Sequence, residues 1–370
     1  MKQTLKKHII NSRGPRLKQK LIVFESDDWG AIRIPNLEVR GELWQNGLTR
    51  TTDSFSRFDT LESAEDYKTL FDVLAQFKDQ QGNHPCFTAN FILNNPDFKK
   101  IASGNFQKYH HESFQKTYAN YSGGEKTWDF LKEGIQMNLI KPQFHGSEHL
   151  NVVRWMKLLQ ENNERYRLAF DNKCFAIDEI GKHNRRDNLM ATYDYNNQEE
   201  LDFIKESIAQ GLKQFEEIFG FHSKTSIAPC YVWDKEVEKA MATGNVNCFQ
   251  GSFLQNIPQT KISFQKKYRY IGQQNKENQT YLVRNCLFEP SVNNQIDWVN
   301  KCMESIDIAF KWGKPSIIGT HRINFVGRLD KKQRDKNLDM LTQLLAKIVQ
   351  KWPDAQFTDT ASLYKAYQKP

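Results

Sequence analysis

The sequence predicts an α/β fold built on parallel strands. Short runs of β-branched and aromatic residues alternate along the chain with longer segments in which apolar residues recur every three or four positions. This alternation is typical of strand–helix–strand units, in which a helix connects two parallel strands. No repeat and no Gly/Ser- or Pro-rich linker interrupts it. The pattern leaves a closed barrel and an open sheet as alternatives, and the 370 residues are enough for one complete β/α barrel.

The predicted elements follow one another from residue 20 to residue 358. The first strand, Lys20–Phe24, is a compact apolar run, and the clearest helix, Gln198–Phe219, ends before Gly220. The other predicted strands are Cys86–Leu93, Pro142–His145, Ser226–Trp233 with its loop, Cys248–Phe253, Lys267–Gly272, Tyr281–Leu287, Pro315–Gly319 and Ala355–Thr358. The other predicted helices are Glu62–Gln80, Thr127–Asn138, Asn151–Gln160, Lys235–Thr243, Ile296–Trp312 and Lys331–Lys351. We expect a basic N-terminal extension (1–19) and one domain (20–370) with insertions near 103–126 and 174–198.

Composition and cysteine usage exclude several classes of protein. The 25 Phe, 13 Tyr and 8 Trp provide core surface that disordered chains lack, and no apolar run is long enough for a transmembrane helix. The net charge of +8 comes from scattered basic runs, so no specific nucleic-acid partner is expected. The N-terminus lacks the apolar segment of a secretory signal. The six cysteines form no C-x-x-C pair, which favours reduced, buried thiols and a cytoplasmic location.

An acidic motif follows the first predicted strand. It reads Glu25-Ser26-Asp27-Asp28-Trp29-Gly30, and carboxylates at the carboxyl end of a parallel strand are where α/β enzymes place reactive groups. Two adjacent aspartates also resist joint ionisation unless a cation is near, so one could bind a metal while the other acts as a base. The alternative is that Asp27 or Asp28 only caps the next helix.

Two histidines four positions apart, His145 and His149, follow another short strand. Two imidazoles and one carboxylate leave open positions on a divalent ion for water and substrate. Glu148 lies between them, but the order is not H-E-x-x-H, which disfavours a zincin. The alternative is that both are ordinary core or surface histidines.

Two further segments end predicted strands. His321 follows an apolar strand near the C-terminus and is placed to act as a general acid. Ala228-Pro-Cys-Tyr-Val-Trp233 is an aromatic turn suited to lining a pocket. The alternatives are a structural histidine and simple core packing.

Together the four segments resemble the motifs of the polysaccharide deacetylases of NodB homology, which are carbohydrate esterases of family four within the glycoside hydrolase/deacetylase superfamily. Glu25–Asp28 is similar to the T-F-D-D motif, His145–His149 to H-[ST]-x-x-H, Ala228–Tyr231 loosely to R-x-P-Y, and Ile317–His321 to the last strand with its histidine. The resemblance covers about residues 20–360 and implies a distorted (β/α) barrel.

The resemblance also implies a reaction and its residues. A divalent metal, zinc with cobalt or manganese as alternatives, would be bound by Asp28, His145 and His149. Asp27 would be the base and His321 the acid, while Tyr231, Trp233, Trp29 and Arg322 would line the substrate and oxyanion pocket. The implied activity is removal of an acyl group, N-acetyl first, from a polysaccharide or glycan precursor.

Several positions depart from the family pattern. Ala228 stands where the arginine that orients the base is usual, so that Arg322 or Arg33 would have to substitute, and Gly146 replaces a Ser or Thr. The motif with Asp and Trp is absent near Cys248–Phe253. These changes leave two alternatives open: a carbohydrate-binding pseudoenzyme, and a glycosidase that would use carboxylates among Asp27, Glu148 and Asp234.

Overall fold

A curled parallel sheet forms the centre of the computed structural model, which describes residues 2–177, 186–260 and 263–368. Its strands occur in the order β10-β7-β6-β5-β2-β1-β12-β11, and β13 pairs beside β1. The strands are β1 (Leu21–Trp29), β2 (Phe87–Ile92), β3 (Asn94–Pro96), β4 (His111–Ser113), β5 (Ile140–Gly146), β6 (Thr225–Ile227), β7 (Cys248–Gly251), β8 (Leu254–Thr260), β9 (Ser263–Tyr268), β10 (Thr280–Val283), β11 (Cys286–Leu287), β12 (Ser316–His321) and β13 (Gln356–Phe357). The predicted (β/α) fold with parallel strands is confirmed.

The two ends of the sheet belong to one kinked segment of chain. β10 pairs with β7 and β11 pairs with β12, and only Arg284 and Asn285 separate β10 from β11. The Arg284 amide donates to the Gly251 carbonyl (2.8 Å), whereas the next amide donates to Ile317 (3.2 Å). The predicted strand Tyr281–Leu287 is therefore two short strands that change partners, and this change joins the ends of the distorted barrel.

Helices cover the outside of this sheet. They are α1 (Lys2–Asn11), α2 (Leu37–Gln45), α3 (Ser54–Phe58), α4 (Ala64–Leu74), α5 (Phe98–Ser103), α6 (Phe114–Asn120), α7 (Thr127–Gln136), α8 (Val152–Gln160), α9 (Glu164–Asp171), α10 (Gln198–Phe219), α11 (Lys235–Thr243), α12 (Trp298–Lys311), α13 (Lys331–Lys351) and α14 (Thr360–Gln368). Helix α10 has the predicted bounds, because its buried apolar face recurs at helical spacing and Gly220 ends it in the left-handed conformation. No helix of the described ranges is long and apolar enough to cross a membrane.

The first strand is longer than predicted, and this extension matters for the site. β1 continues through the acidic motif to Trp29, and all nine of its residues are buried. Its apolar half packs in the core, where Phe24 stacks on Phe87 with ring centroids 5.2 Å apart. Its polar half pairs with β12, so that Asp27 lies opposite His321. Charges can occupy a buried strand here only because neighbouring side chains neutralise them.

Several other predictions differ from the structure. The strand Lys267–Gly272 is wrong: β8 and β9 form an antiparallel hairpin outside the barrel. Helix α4 is shorter than predicted, because Ser63 and Asp66 form a capping box at its start and it ends at Leu74. The six cysteines are unpaired, and five of them are buried.

The two predicted insertions contain buried residues. Segment 103–126 includes α6, whose Phe114 and Tyr118 are almost completely buried. In segment 174–198, residues 178–185 lie outside the described ranges, while Tyr193 and Asp194 are buried.

Candidate active site

A cavity of about 550 Å³ opens at the carboxyl ends of the central strands. Strands β1, β5 and β12 each contribute a polar side chain where they end, which is the usual place for reactive groups in parallel α/β sheets. Of the residues that the sequence singled out, the structure places Asp27, Asp28, His145, His149, Tyr231, His321 and Arg33 at this cavity.

Asp28, His145 and His149 converge in the floor of the cavity. One potential ligand atom from each lies within 4.8 Å of the others, and the Nε2 atoms of both histidines are 3.3 Å from Oδ1 of Asp28. Burial raises the pKa of Asp28, but the two imidazoles outweigh it and hold that pKa well below its ordinary value. Asp28 also has φ +75°, a strained conformation for a residue with a Cβ, which turns its carboxylate toward the histidines.

The donor set fits a divalent metal ion. The Ile227 carbonyl lies 2.8 Å from Nδ1 of His145 and can only accept, so Nδ1 carries the proton and the Nε2 lone pair faces the cluster. Nδ1 of His149 is buried and has no hydrogen-bond partner among the described residues. Two imidazole nitrogens and one carboxylate oxygen are a ligand set that catalytic zinc accepts, with positions left for other ligands.

Asp27 points to the other side of the floor and is fixed by donors. Arg284 donates to both of its carboxylate oxygens (2.6 Å each), and Asn90 donates to Oδ1 (2.7 Å). Burial raises the pKa of Asp27, but Arg284 overrides it and lowers this pKa to about 2. Asp27 is therefore an anion at neutral pH.

The arginine that binds Asp27 is Arg284, and not Arg322 or Arg33, which the sequence suggested. It lies at the kink between β10 and β11 and also donates from Nε to the fully buried Glu25 (2.8 Å). The sequence contained one sign of it, a charged residue inside the otherwise apolar run Tyr281–Leu287. Its pairing with Asp27 could not be read from the sequence, because the two residues are 257 positions apart and the fold alone brings them together.

His321 lines the same cavity as Asp28, His145 and His149 and is held by Glu289. Nδ1 of His321 is 2.6 Å from Glu289, and Nε2 is 3.7 Å from Asp27. Burial alone would lower the pKa of His321, but Glu289 and Asp27 raise it to about 10. The imidazole is thus protonated at neutral pH and can donate a proton. Glu289 was missed because no recognisable motif surrounds it.

Tyr231 forms part of the cavity wall in a strained turn. Tyr231 and Cys230 both have positive φ angles, 55° and 54°. The Tyr231 hydroxyl lies 3.5 Å from Nη1 of Arg284, so the turn approaches the group that fixes Asp27.

Three predicted pocket residues lie in the core instead, and their assignment to the pocket is corrected. Trp29 stacks on Tyr67 (5.2 Å) and is fully buried, and Trp233 stacks on Phe249 (5.6 Å). Arg322 is fully buried and ion-paired with Asp59 and Glu62. Trp29 and Arg322 directly follow the cavity-lining residues Asp28 and His321, but their own side chains are buried in the core.

The carboxylates that a glycosidase would need do not face one another across the cavity. Glu148 is buried, is not among the cavity-lining residues, and burial raises its pKa to about 7. Asp234 caps α11 and accepts a hydrogen bond from Tyr195 (2.6 Å). This placement gives the paired-carboxylate alternative no support.

Comparison with known proteins gives matches only among solved structures. No family model matches the chain, and neither does any curated protein. The chain is similar to a 4-alpha-glucanotransferase from Thermococcus litoralis (9% identity, TM-score 0.47, 94% of this chain), of which it spans only 40%. It is also similar to a provisionally assigned glycoside hydrolase/deacetylase from Parabacteroides distasonis (9%, 0.46, 96% and 73% of the two chains) and a provisionally assigned polysaccharide deacetylase from Mycobacterium smegmatis (9%, 0.43, 96% and 92%). At these values the similarity transfers no chemistry to this chain.

Proposed function

We propose that this protein is a metal-dependent hydrolase that removes an acyl group, N-acetyl first, from an amino sugar of a polysaccharide or glycan precursor. The observation that carries the proposal is the buried convergence of Asp28, His145 and His149 beside an ionised Asp27 and a protonated His321. The carbohydrate substrate class comes from the resemblance of the four sequence motifs to those of the polysaccharide deacetylases.

Different residues of the site would carry out different steps of amide hydrolysis. Asp28, His145 and His149 would hold a divalent ion, zinc with cobalt or manganese as alternatives. When bound, such an ion lowers the pKa of water and polarises an acyl carbonyl. Asp27 is anionic and is held by Arg284, so it is oriented to accept the proton of the attacking water.

His321 has the properties of a general acid. Its raised pKa keeps it protonated, and its contact with Glu289 fixes the ring so that Nε2 faces Asp27 and the cavity. It is therefore placed to protonate the leaving amine when the bond between carbonyl carbon and nitrogen breaks. Tyr231 and the backbone around it form the wall beside Asp27, where donors to the developing oxyanion would be needed.

The experiment is a screen for acetate release. The purified protein is incubated with N-acetylated glycans and with added zinc, cobalt or manganese, and acetate is measured directly. We expect release that requires a metal and is abolished by EDTA. If no N-acylated glycan or precursor loses its acyl group with any of these metals, while carbohydrate binding persists, the pseudoenzyme alternative replaces this proposal.

A further inference from the structure

Arg33 is a cationic side chain at the cavity that holds neither Asp27 nor the group formed by Asp28, His145 and His149. Arg33 follows β1 and lines the same cavity as Asp28 and His149. Its side chain is only 20% exposed. A guanidinium stays charged in proteins and carries five N–H donors, so a mostly buried arginine needs acceptors.

The described protein does not supply those acceptors. The nearest carboxylate of an ion pair, Oδ2 of Asp59, is 3.9 Å from Nη1 of Arg33, which is too long for a hydrogen bond. The other oxygen of Asp59 accepts from Arg322 at 3.0 Å. Within the described ranges, Arg33 therefore makes one weak ion pair, and its side chain donates no hydrogen bond to a protein group.

The position of Arg33 is nevertheless fixed. Its guanidinium carbon lies 4.6 Å from the ring centroid of Phe55, a cation–π contact, and its backbone carbonyl accepts from the Cys174 thiol at 3.3 Å. The same Phe55 ring meets the imidazole of His321 edge-on, with centroids 5.6 Å apart. One aromatic ring thus lies between the unsatisfied cation and the candidate acid.

The outer cavity offers little competing negative charge. Besides Asp27 and Asp28, the carboxylate among its described lining residues is Asp53. Asp53 caps α3 and accepts from the Ser56 amide at 2.7 Å. Among the described residues that line the cavity, none accepts a hydrogen bond from Arg33, so its guanidinium is available to an anion that enters the cavity.

We propose that Arg33 binds an anionic substituent of the amino sugar, a carboxylate or a phosphate, while the acyl group lies at the metal cluster. This inference rests on the proposed function, because it names the substrate class of the same site. A planar guanidinium matches either anion with two parallel hydrogen bonds. The net charge of +8 would add a weak long-range attraction for such a substrate.

The test is a binding experiment that does not need turnover. Protein treated with EDTA is titrated calorimetrically with N-acetylglucosamine, N-acetylglucosamine 6-phosphate and N-acetylmuramic acid, which are neutral, phosphate-bearing and carboxylate-bearing. We expect at least one charged probe to bind the wild type about tenfold more tightly than the neutral probe. The charged probe that binds more tightly identifies the anion.

Variants of two arginines make the result specific. Arg33→Gln should reduce the preference for the charged probe to less than about threefold, and Arg33→Lys should retain part of it, because a lysine keeps the charge but loses the two-pronged geometry. Arg57→Gln is the matched control, since Arg57 also stacks on an aromatic ring (Phe58, 4.6 Å) but is exposed and lies outside the cavity. Thermal unfolding confirms that each variant is folded.

The outcomes separate this inference from the proposed function. Equal binding of all three probes by the wild type, or a preference that persists in Arg33→Gln, overturns the role of Arg33 even if acetate is released. A preference that depends on Arg33 in a protein that releases no acyl group from any substrate supports the anion site and refutes the proposed hydrolase.

Discussion

Replacing Arg284 by methionine should strongly destabilise the protein, because two buried carboxylates depend on this one cation. Arg284 makes two hydrogen bonds of 2.6 Å to Asp27 and one of 2.8 Å to Glu25. Methionine fills much of the same volume but leaves both acids unpaired. Removal of one partner from a buried ion pair costs about 3–5 kcal/mol. We expect a loss of about this size in the free energy of unfolding measured with urea at pH 7.

The loss of stability in Arg284→Met should depend on pH, because Asp27 and Glu25 titrate. In the wild type the pKa of Asp27 is lowered to about 2, so its ionised form contributes stability above the ordinary pKa, which is lost as the pH falls from about 4 to 2. Without Arg284 the pKa of Asp27 should rise above its ordinary value, and the pKa of Glu25, which burial already raises in the wild type, should rise further. The variant should then lose stability as the pH rises above about 4, so the difference from wild type should be smaller at pH 4.5 than at pH 7.

Two comparisons make this prediction refutable. Adding Asp27→Asn to the Arg284→Met variant removes one unpaired charge and should recover about 1–2 kcal/mol at pH 7. Arg57→Met, which removes an exposed arginine, should change stability by no more than about 0.5 kcal/mol. A loss of less than about 1 kcal/mol for Arg284→Met, or a loss equal at both pH values, would refute the reasoning.

Three other predictions concern the metal cluster, the base and the packing. Elemental analysis should find about one divalent ion per chain, lost in His145→Ala but not in His222→Ala, whose histidine is exposed; equal metal content in both variants contradicts the cluster. Asp27→Asn should lower the rate of acyl release at least about a hundredfold while elemental analysis finds the ion unchanged, and unaltered turnover would remove Asp27 from the role of base. Gly134→Ala should cost about 1–3 kcal/mol in urea unfolding, because the new Cβ would meet a buried Phe ring of α4, whereas Gly41→Ala, in α2 with nothing within 4 Å, should be neutral or stabilising. Equal effects of the two glycine substitutions would argue against that packing.

The sequence predicted helices correctly where local features, such as apolar periodicity and capping residues, determine their bounds. Helices α10, α11 and α13 have the predicted bounds, because periodic burial and caps determine them locally. The hairpin of β8 and β9 was missed because only the antiparallel pairing of the two strands, which are distinct from the central sheet, defines it. The kink between β10 and β11 was also missed. The change of pairing partner from β7 to β12 depends on how all the strands are arranged in the barrel, which the local sequence does not specify.

The sequence likewise indicated some residues of the candidate site and missed others. Short motifs at the ends of β1, β5 and β12 indicated Asp27, Asp28, His145, His149 and His321, and the carboxyl ends of these parallel strands meet at one cavity. The groups that tune them come from distant positions. Glu289 and Arg284 lie in segments without a recognisable motif, and the direction of each side chain depends on the register between strands, which composition and spacing do not fix.

The position of Arg284 links the shape of the barrel to the chemistry of the site. Between β10 and β11 the chain changes its pairing partner, and Arg284 lies at this junction. Its amide bonds to β7, and its side chain bonds to residues of β1. A cation at this junction bonds to Glu25 and Asp27 together and offsets part of their charge, and without it two acids in a fully buried strand would be less favourable. Position 228, where the sequence motif that this segment resembles has an arginine, is an alanine here, and Asp27 receives its guanidinium partner from Arg284 in the segment that completes the barrel.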